Sequence, residues 1–137
     1  MINCSLKKGR GKMENASRKK TQVEINDIPD RKNIKLIKIS GNLDVINSDP
    51  VMQVLEFFLE KNPGVNLLFD MREVQFIDSY GNLVLIKCHM KAKKNGGEVK
   101  VFSLNKNIKD IFDIVGISKL IPIFKFYEDA LTSFNKE

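Results

Sequence analysis

Few residues of this chain are equipped for chemistry, and the densest group is Asp78-Ser79-Tyr80-Gly81, set inside the apolar stretch VQFIDSYGNLVL at 74–85. An acid, a hydroxyl and a glycine between two apolar runs fit either an ordinary turn or a strand-to-helix break that leaves a serine at a helix start. A hydrolytic use of Ser79 fails on geometry. His89 is the only histidine, and ten residues further along one helix puts it ~15 Å away, against the ~3 Å that a nucleophile and its base require. The G-x-S-x-G elbow is also missed, because Ile77 stands where its first glycine belongs.

Other chemistries fare no better. The glycines of KKGRGK have no strand before them, and those of Asn95-Gly96-Gly97 follow a helical pattern instead of opening one, so neither has the setting of a phosphate-binding loop. Carboxylates are scattered, and Cys4 and Cys88 have no partners at zinc-ligand spacing. The expectation is no catalytic residue, no metal, no cofactor and no enzyme activity, with Cys4 exposed and Cys88 in the core as reduced thiols.

Capping chemistry survives. Asp78 suits the N-cap of a helix, its carboxylate accepting from the free amides of the first turn, which puts Ser79 in that turn with its hydroxyl near the surface. A phosphate there would add about −1.5 to −2 charge, and the helix N-terminus would favour it by about 0.3–1 kcal/mol, so modification need not unfold the domain. Simple capping explains the same residues. Spacing leaves both open.

The elements around this group follow from periodicity. TQVEIND and IKLIKIS alternate as two strands of a hairpin across the turn signals of IPDRKN, and Gly41 breaks the pattern where the chain leaves the sheet. Asp49-Pro50 predicts an N-cap and a first-turn proline, opening a helix whose Val51, Val54, Leu55, Phe58 and Leu59 form one buried face, ended by KNPG. VNLLFD reads as a strand covered on both faces, at the centre of the sheet. A helix then starts at Ser79, with Leu83, Val84, Ile86 and Met90 apolar and Lys87, Lys91, Lys93 and Lys94 solvated, and Asn95-Gly96-Gly97 stops it. EVKVFSL returns to strand. Ile108, Ile111, Phe112 and Val115 give a third helix closed by Gly116, IPIFKF an edge strand, and EDALTSF a last helical turn or two. The order β-β-α-β-α-β-α-β-α predicts one α/β domain, with helices packed on a mixed, largely parallel sheet of four to five strands.

Charge divides the chain differently. Seven of its 23 Lys and Arg but only one of its 17 Asp and Glu lie in residues 1–20, leaving 16 of each in 21–137. The net +6 therefore belongs to a basic arm, expected to be disordered, ahead of a formally neutral domain at 21–137. The arm has no aromatic residue for base stacking, so no specific nucleic-acid partner is expected. No window approaches the ~18 apolar residues of a membrane span, and no apolar segment follows the basic residues as in a secretory signal. Cytoplasmic residence is the expectation.

Several segments together resemble one family. LDV after SGN, FIDSYG at a helix start, and GGEVKVFSLNKNIKDIFDIVGISKLIPIF are similar, in order and spacing, to the STAS domain, in particular to bacterial anti-sigma factor antagonists, over about residues 21–135. The resemblance implies partner switching. The serine after the motif aspartate is phosphorylated by an anti-sigma factor that is also a serine kinase, and a serine phosphatase restores it. That serine matches Ser79, the aspartate Asp78 and the glycine Gly81, with Tyr80 and Asn82 beside them; Asn42 and Asp44 match the turn that lies next to the serine in this fold. Unmodified, such a protein binds the anti-sigma factor; phosphorylated, it releases it. Tyr80 stands where a small Ser or Thr is common, Asn82-Leu83 replaces Leu-Gly, and Asn42 replaces Glu. The alternative implied by the same family is a STAS scaffold subunit, never phosphorylated, in a signalling or lipid-transport complex.

Overall fold

The computed structural model describes residues 20–134; the arm expected at the N-terminus, Cys4 included, lies outside the described residues apart from Lys20. Strands β1 (Gln22–Ile28), β2 (Arg31–Ser40), β3 (Asn66–Glu73), β4 (Val99–Phe102) and β5 (Ile123–Phe124) form one sheet in the order β1-β2-β3-β4-β5. The β1–β2 pair is antiparallel and every other pair is parallel. Helices α1 (Ser48–Lys61), α2 (Ser79–Lys94), α3 (Lys106–Val115), α4 (Ile117–Leu120) and α5 (Tyr127–Ser133) fill the connections and the C-terminal end. The expected order is present, with the single turn α4 added after α3. Gly116, at φ 90°, is the left-handed break between them.

Alternation along the strands explains the two layers. Val23, Ile25, Ile37, Ile39, Leu67, Phe69, Met71, Val99 and Val101 share one sheet face and pack with the buried faces of α1, α2 and α3. The opposite face has a smaller cluster, Ile28, Ile34, Leu68 and Phe102 under Ala130 and Phe134 at the end of α5. Lys100 fastens that end, donating from Nζ to the carbonyl and hydroxyl of Ser133 at 2.9 and 3.0 Å while lying 4.4 Å from the Phe134 ring centre. Cys88 is in the main core as expected, and burial pushes its thiol up to about 12.

Some boundaries differ, each for a local reason. The hairpin turn shrinks to Pro29-Asp30, because Asp30 takes a left-handed φ of 65° and lets Ile28 pair with Arg31. β3 runs on to Glu73, past Asp70, whose carboxylate is paired with Arg72 on the same strand face. Helix α1 starts at Ser48 after the N-cap Asn47, instead of being capped by Asp49, so Pro50 is the third residue of its first turn. The cause is Asp44. Its Oδ1 accepts from the amides of Ile46 and Asn47 and from Asn47 Nδ2, at 3.0–3.1 Å, and its carbonyl accepts from Ser48, so the first turn is organised from upstream. On α3, Ile108 and Phe112 are buried, whereas Val115, expected in the core stripe, is exposed near the left-handed break.

Candidate functional site

Three loops meet where the parallel strands end: 41–47 after β2, 74–78 after β3 and 103–105 after β4. The first two are tied by backbone hydrogen bonds from Gly41 to Glu73, from Leu43 to Phe76 and from Asp78 to Leu43, all of 3.0–3.1 Å. Leu43 and Ile77 form a parallel bridge outside the strands. Asp78 then caps α2 as its spacing predicts, Oδ1 accepting from the amides of Tyr80 and Gly81 at 2.9 and 3.1 Å. Its second oxygen does something the spacing did not reveal. Oδ2 accepts from the Val45 amide at 3.0 Å, across the chain.

Gly81 explains why a glycine follows. A Cβ there would fall 2.2 Å from the Leu43 carbonyl oxygen and 2.6 Å from Ile77 Cγ1, so only glycine lets the first turn of α2 lie directly on the 41–44 segment. Ser79 is thereby the first residue of α2 and exposed, with Tyr80 exposed beside it. Asn82 is half-buried.

The other expected residues divide between surface and support. Asn42 is exposed, and its carbonyl accepts from the Thr21 hydroxyl. The Asp44 carboxylate is turned inward onto Asn47, so it shapes the loop. Asp78, Asp44 and Gly81 are therefore supports, and Ser79, Tyr80 and Asn42 are the presented groups. His89 is on the same helix as Ser79, ten residues on, and both burial and Lys93 depress its pKa. Among the described residues, no group of three or more His, Cys, Asp or Glu is arranged to hold a metal, and no helix is long and apolar enough to cross a membrane.

A family model for the STAS domain matches residues 26–130. The chain belongs to the STAS domain family. Among curated proteins, this STAS domain is 26% identical over 99 residues to an anti-sigma F factor antagonist of Paenibacillus polymyxa, covering 72% of this chain and 85% of the relative. It is 28% identical over 97 residues to an anti-sigma-B factor antagonist of Bacillus subtilis strain 168, covering 71% and 87%. Among solved structures, an anti-sigma factor antagonist from Mycobacterium paratuberculosis superposes with a TM-score of 0.72 at 21% identity, covering 82% of this chain and 92% of the other. That likeness is one of fold.

Two features of the STAS site escaped the sequence reading. Val45, Ile46 and Phe76 are each more than half exposed, on the segments hydrogen-bonded to the start of α2 that carries Ser79. Of the run VQFI, only Val74 and Ile77 are buried; Gln75 and Phe76 face out. Asn105 is the second. Its Oδ1 caps α3 by accepting from the Ile108 amide at 2.9 Å, while Nδ2 donates to the Gln75 carbonyl at 3.2 Å and to that of Val74 at 3.5 Å. The third loop is thus fastened to the segment that leads into Ser79. An Asn at a helix start signals the cap but not what its amide reaches.

Proposed function

We propose that this STAS domain is an anti-sigma factor antagonist acting by partner switching, with Ser79 as its phosphoacceptor. Unphosphorylated, it binds an anti-sigma factor that is also a serine kinase, through Asn42, Tyr80 and the apolar groups of Val45, Ile46 and Phe76, on a surface shaped by Asp44, Asp78, Gly81 and Asn82. Phosphorylated, it lets go, because a dianion inside that contact must lose its water without gaining a partner. A serine phosphatase resets it. The domain performs no chemistry itself, and the exchange belongs in the cytoplasm, where ATP and sigma factors are.

The carrying observation is an exposed hydroxyl on the first residue of a capped helix, with exposed apolar side chains on the two segments hydrogen-bonded to that helix start. The capped N-terminus tolerates added negative charge, whereas a covered contact that includes these apolar groups does not. The names of the curated relatives support the same reading.

The test is phosphorylation by the anti-sigma serine kinases of the source genome, each purified and supplied with ATP, with the product mapped by mass spectrometry. One phosphate on Ser79 is expected. Ser79→Ala should bind the kinase constitutively and Ser79→Asp weakly. Phosphate on another residue with Ser79 untouched overturns the site, and equal binding by both variants overturns the switch.

A further inference from the structure

Helix α2 has an outward stripe that core packing does not use. Tyr80, Leu83, Lys87, Met90 and Lys94 recur at the three and four spacing of a single helix face, and all five are exposed. The opposite face buries Val84, Leu85, Cys88 and Ala92. A face turned only to water is normally polar throughout. Here Tyr80 is 53%, Leu83 46% and Met90 62% exposed, with a cation after each of the last two.

The charge is equally uneven. Helix α2 carries Lys87, Lys91, Lys93 and Lys94 and no acid, within a domain that is formally neutral. Among the ion pairs of the described residues, only Lys91 of these is engaged, with Glu56 of α1 at 3.7 Å. The stripe lysines are left to solvent.

We propose that this stripe is the second half of the docking surface that begins at Ser79, and that the partner face meeting it is acidic, with apolar side chains between its carboxylates. This presupposes the antagonist role proposed above and adds the chemistry of the partner. Continuity supports it, since the stripe starts at Tyr80, next to Ser79, and shares its apolar character with Val45, Ile46 and Phe76. Alternation favours protein over other polyanions. A phosphate backbone would satisfy Lys87 and Lys94 but leave Leu83 and Met90 wet, and a membrane would need a wider apolar face than three side chains. Complementary charge would act mainly on encounter and choice of partner, and hence with strong salt dependence.

The stripe and the switch can be tested separately. Lys87 is eight residues beyond Ser79, ~12 Å along the axis, and Lys94 is ~22 Å away; both exceed the Debye length of about 8 Å at physiological salt. Effects at the two ends should therefore add.

The experiment measures the affinity of the full-length chain for each purified anti-sigma serine kinase of the source genome, at low and at physiological salt. Lys87→Glu/Lys94→Glu should weaken binding roughly tenfold at low salt and flatten its salt dependence, with thermal unfolding unchanged because both positions are exposed. Lys87→Ala/Lys94→Ala should give a smaller loss in the same direction, and Met90→Ala a loss with the salt dependence intact. Parent-like affinity and salt slope in the reversed variant overturn the stripe. So does binding to phosphatidylglycerol vesicles or duplex DNA that the reversal abolishes while kinase affinity stays. If Ser79→Asp binds like the parent while the lysine reversal weakens binding, the stripe holds and the phosphorylation switch fails. If no kinase binds the parent chain, the antagonist role and the stripe fall together.

Discussion

Asp78 and Val45 are 33 positions apart in sequence and joined by a 3.0 Å hydrogen bond, Oδ2 of the first accepting the backbone amide of the second. Because Oδ1 of the same carboxylate caps α2, the helix carrying Ser79 and the loop carrying Val45 and Ile46 are held by one side chain. Removing it should do more than uncap a helix. Asp78→Ala is expected to cost about 1–2 kcal/mol from the cap, seen as a lower urea midpoint. Hydrogen exchange should also quicken at the Val45 amide, outside α2. Asp78→Asn keeps one acceptor oxygen for the cap but turns an NH2 donor onto the Val45 amide, so the cap should hold while exchange at Val45 still quickens.

Gly81→Ala runs against helix propensity, which favours alanine by ~1 kcal/mol. The new methyl would meet the Leu43 carbonyl oxygen at 2.2 Å, and backbone cannot step aside as a flexible side chain can. Net destabilisation of about 1–3 kcal/mol is expected, measured by chemical denaturation. An unchanged or raised midpoint would show that α2 does not lie on the 41–44 turn.

Ser79 should be almost silent in stability. It is exposed at the first position of α2, and surface changes of this kind fall within about ±0.5 kcal/mol. Ser79→Ala and Ser79→Asp should therefore melt within a few degrees of the parent chain while differing in kinase binding.

Asn105 separates two roles in one side chain. Asn105→Asp retains an oxygen for the α3 cap but turns a second oxygen toward the carbonyls of Val74 and Gln75. Loss of that donor should cost about 1 kcal/mol. Faster exchange is expected at 76–78, with the Ile108 amide still protected, whereas Asn105→Ala should loosen both regions.

Acid should reach the fold through Asp70. Burial alone would raise its pKa, but the Arg72 guanidinium and backbone amide, at 2.7–3.1 Å, outweigh burial and hold it below its ordinary 3.8. Since the folded value is depressed, this contribution to stability is complete above 3.8 and is lost as pH falls through the folded value. Urea midpoints from about pH 5 to about pH 2 should fall more steeply for the parent than for Asp70→Asn.

Much of this protein was legible in its residues one segment at a time. Period-two alternation, the continuous apolar run VNLLFD, the edge segment IPIFKF and period-3.6 patterns together marked all five strands and four of the five helices, and the Asp78-Ser79 pair announced a capped helix start because an N-cap is a local hydrogen-bonding motif. Boundaries slipped where a side chain overrode local preference, as when Asp44 rather than Asp49 organised the entry to α1. Hydrophobicity also misled, because an apolar residue looks the same in a core and on an exposed surface. Val115, Phe76 and Met90 are exposed for reasons that no window of neighbours contains.

Sequence by itself determined the element order, the cap at Asp78, the surface position of Ser79 and the resemblance that named the family. Tertiary structure alone decided that Gly81 is needed against Leu43, that Asp78 reaches Val45, and that Asn105 reaches Gln75. These contacts span 30 or more residues and exist because parallel strands end side by side, bringing three separate loops to one edge. Local chemistry placed a hydroxyl at a helix start; the sheet gave it the neighbouring loops that make it part of a surface.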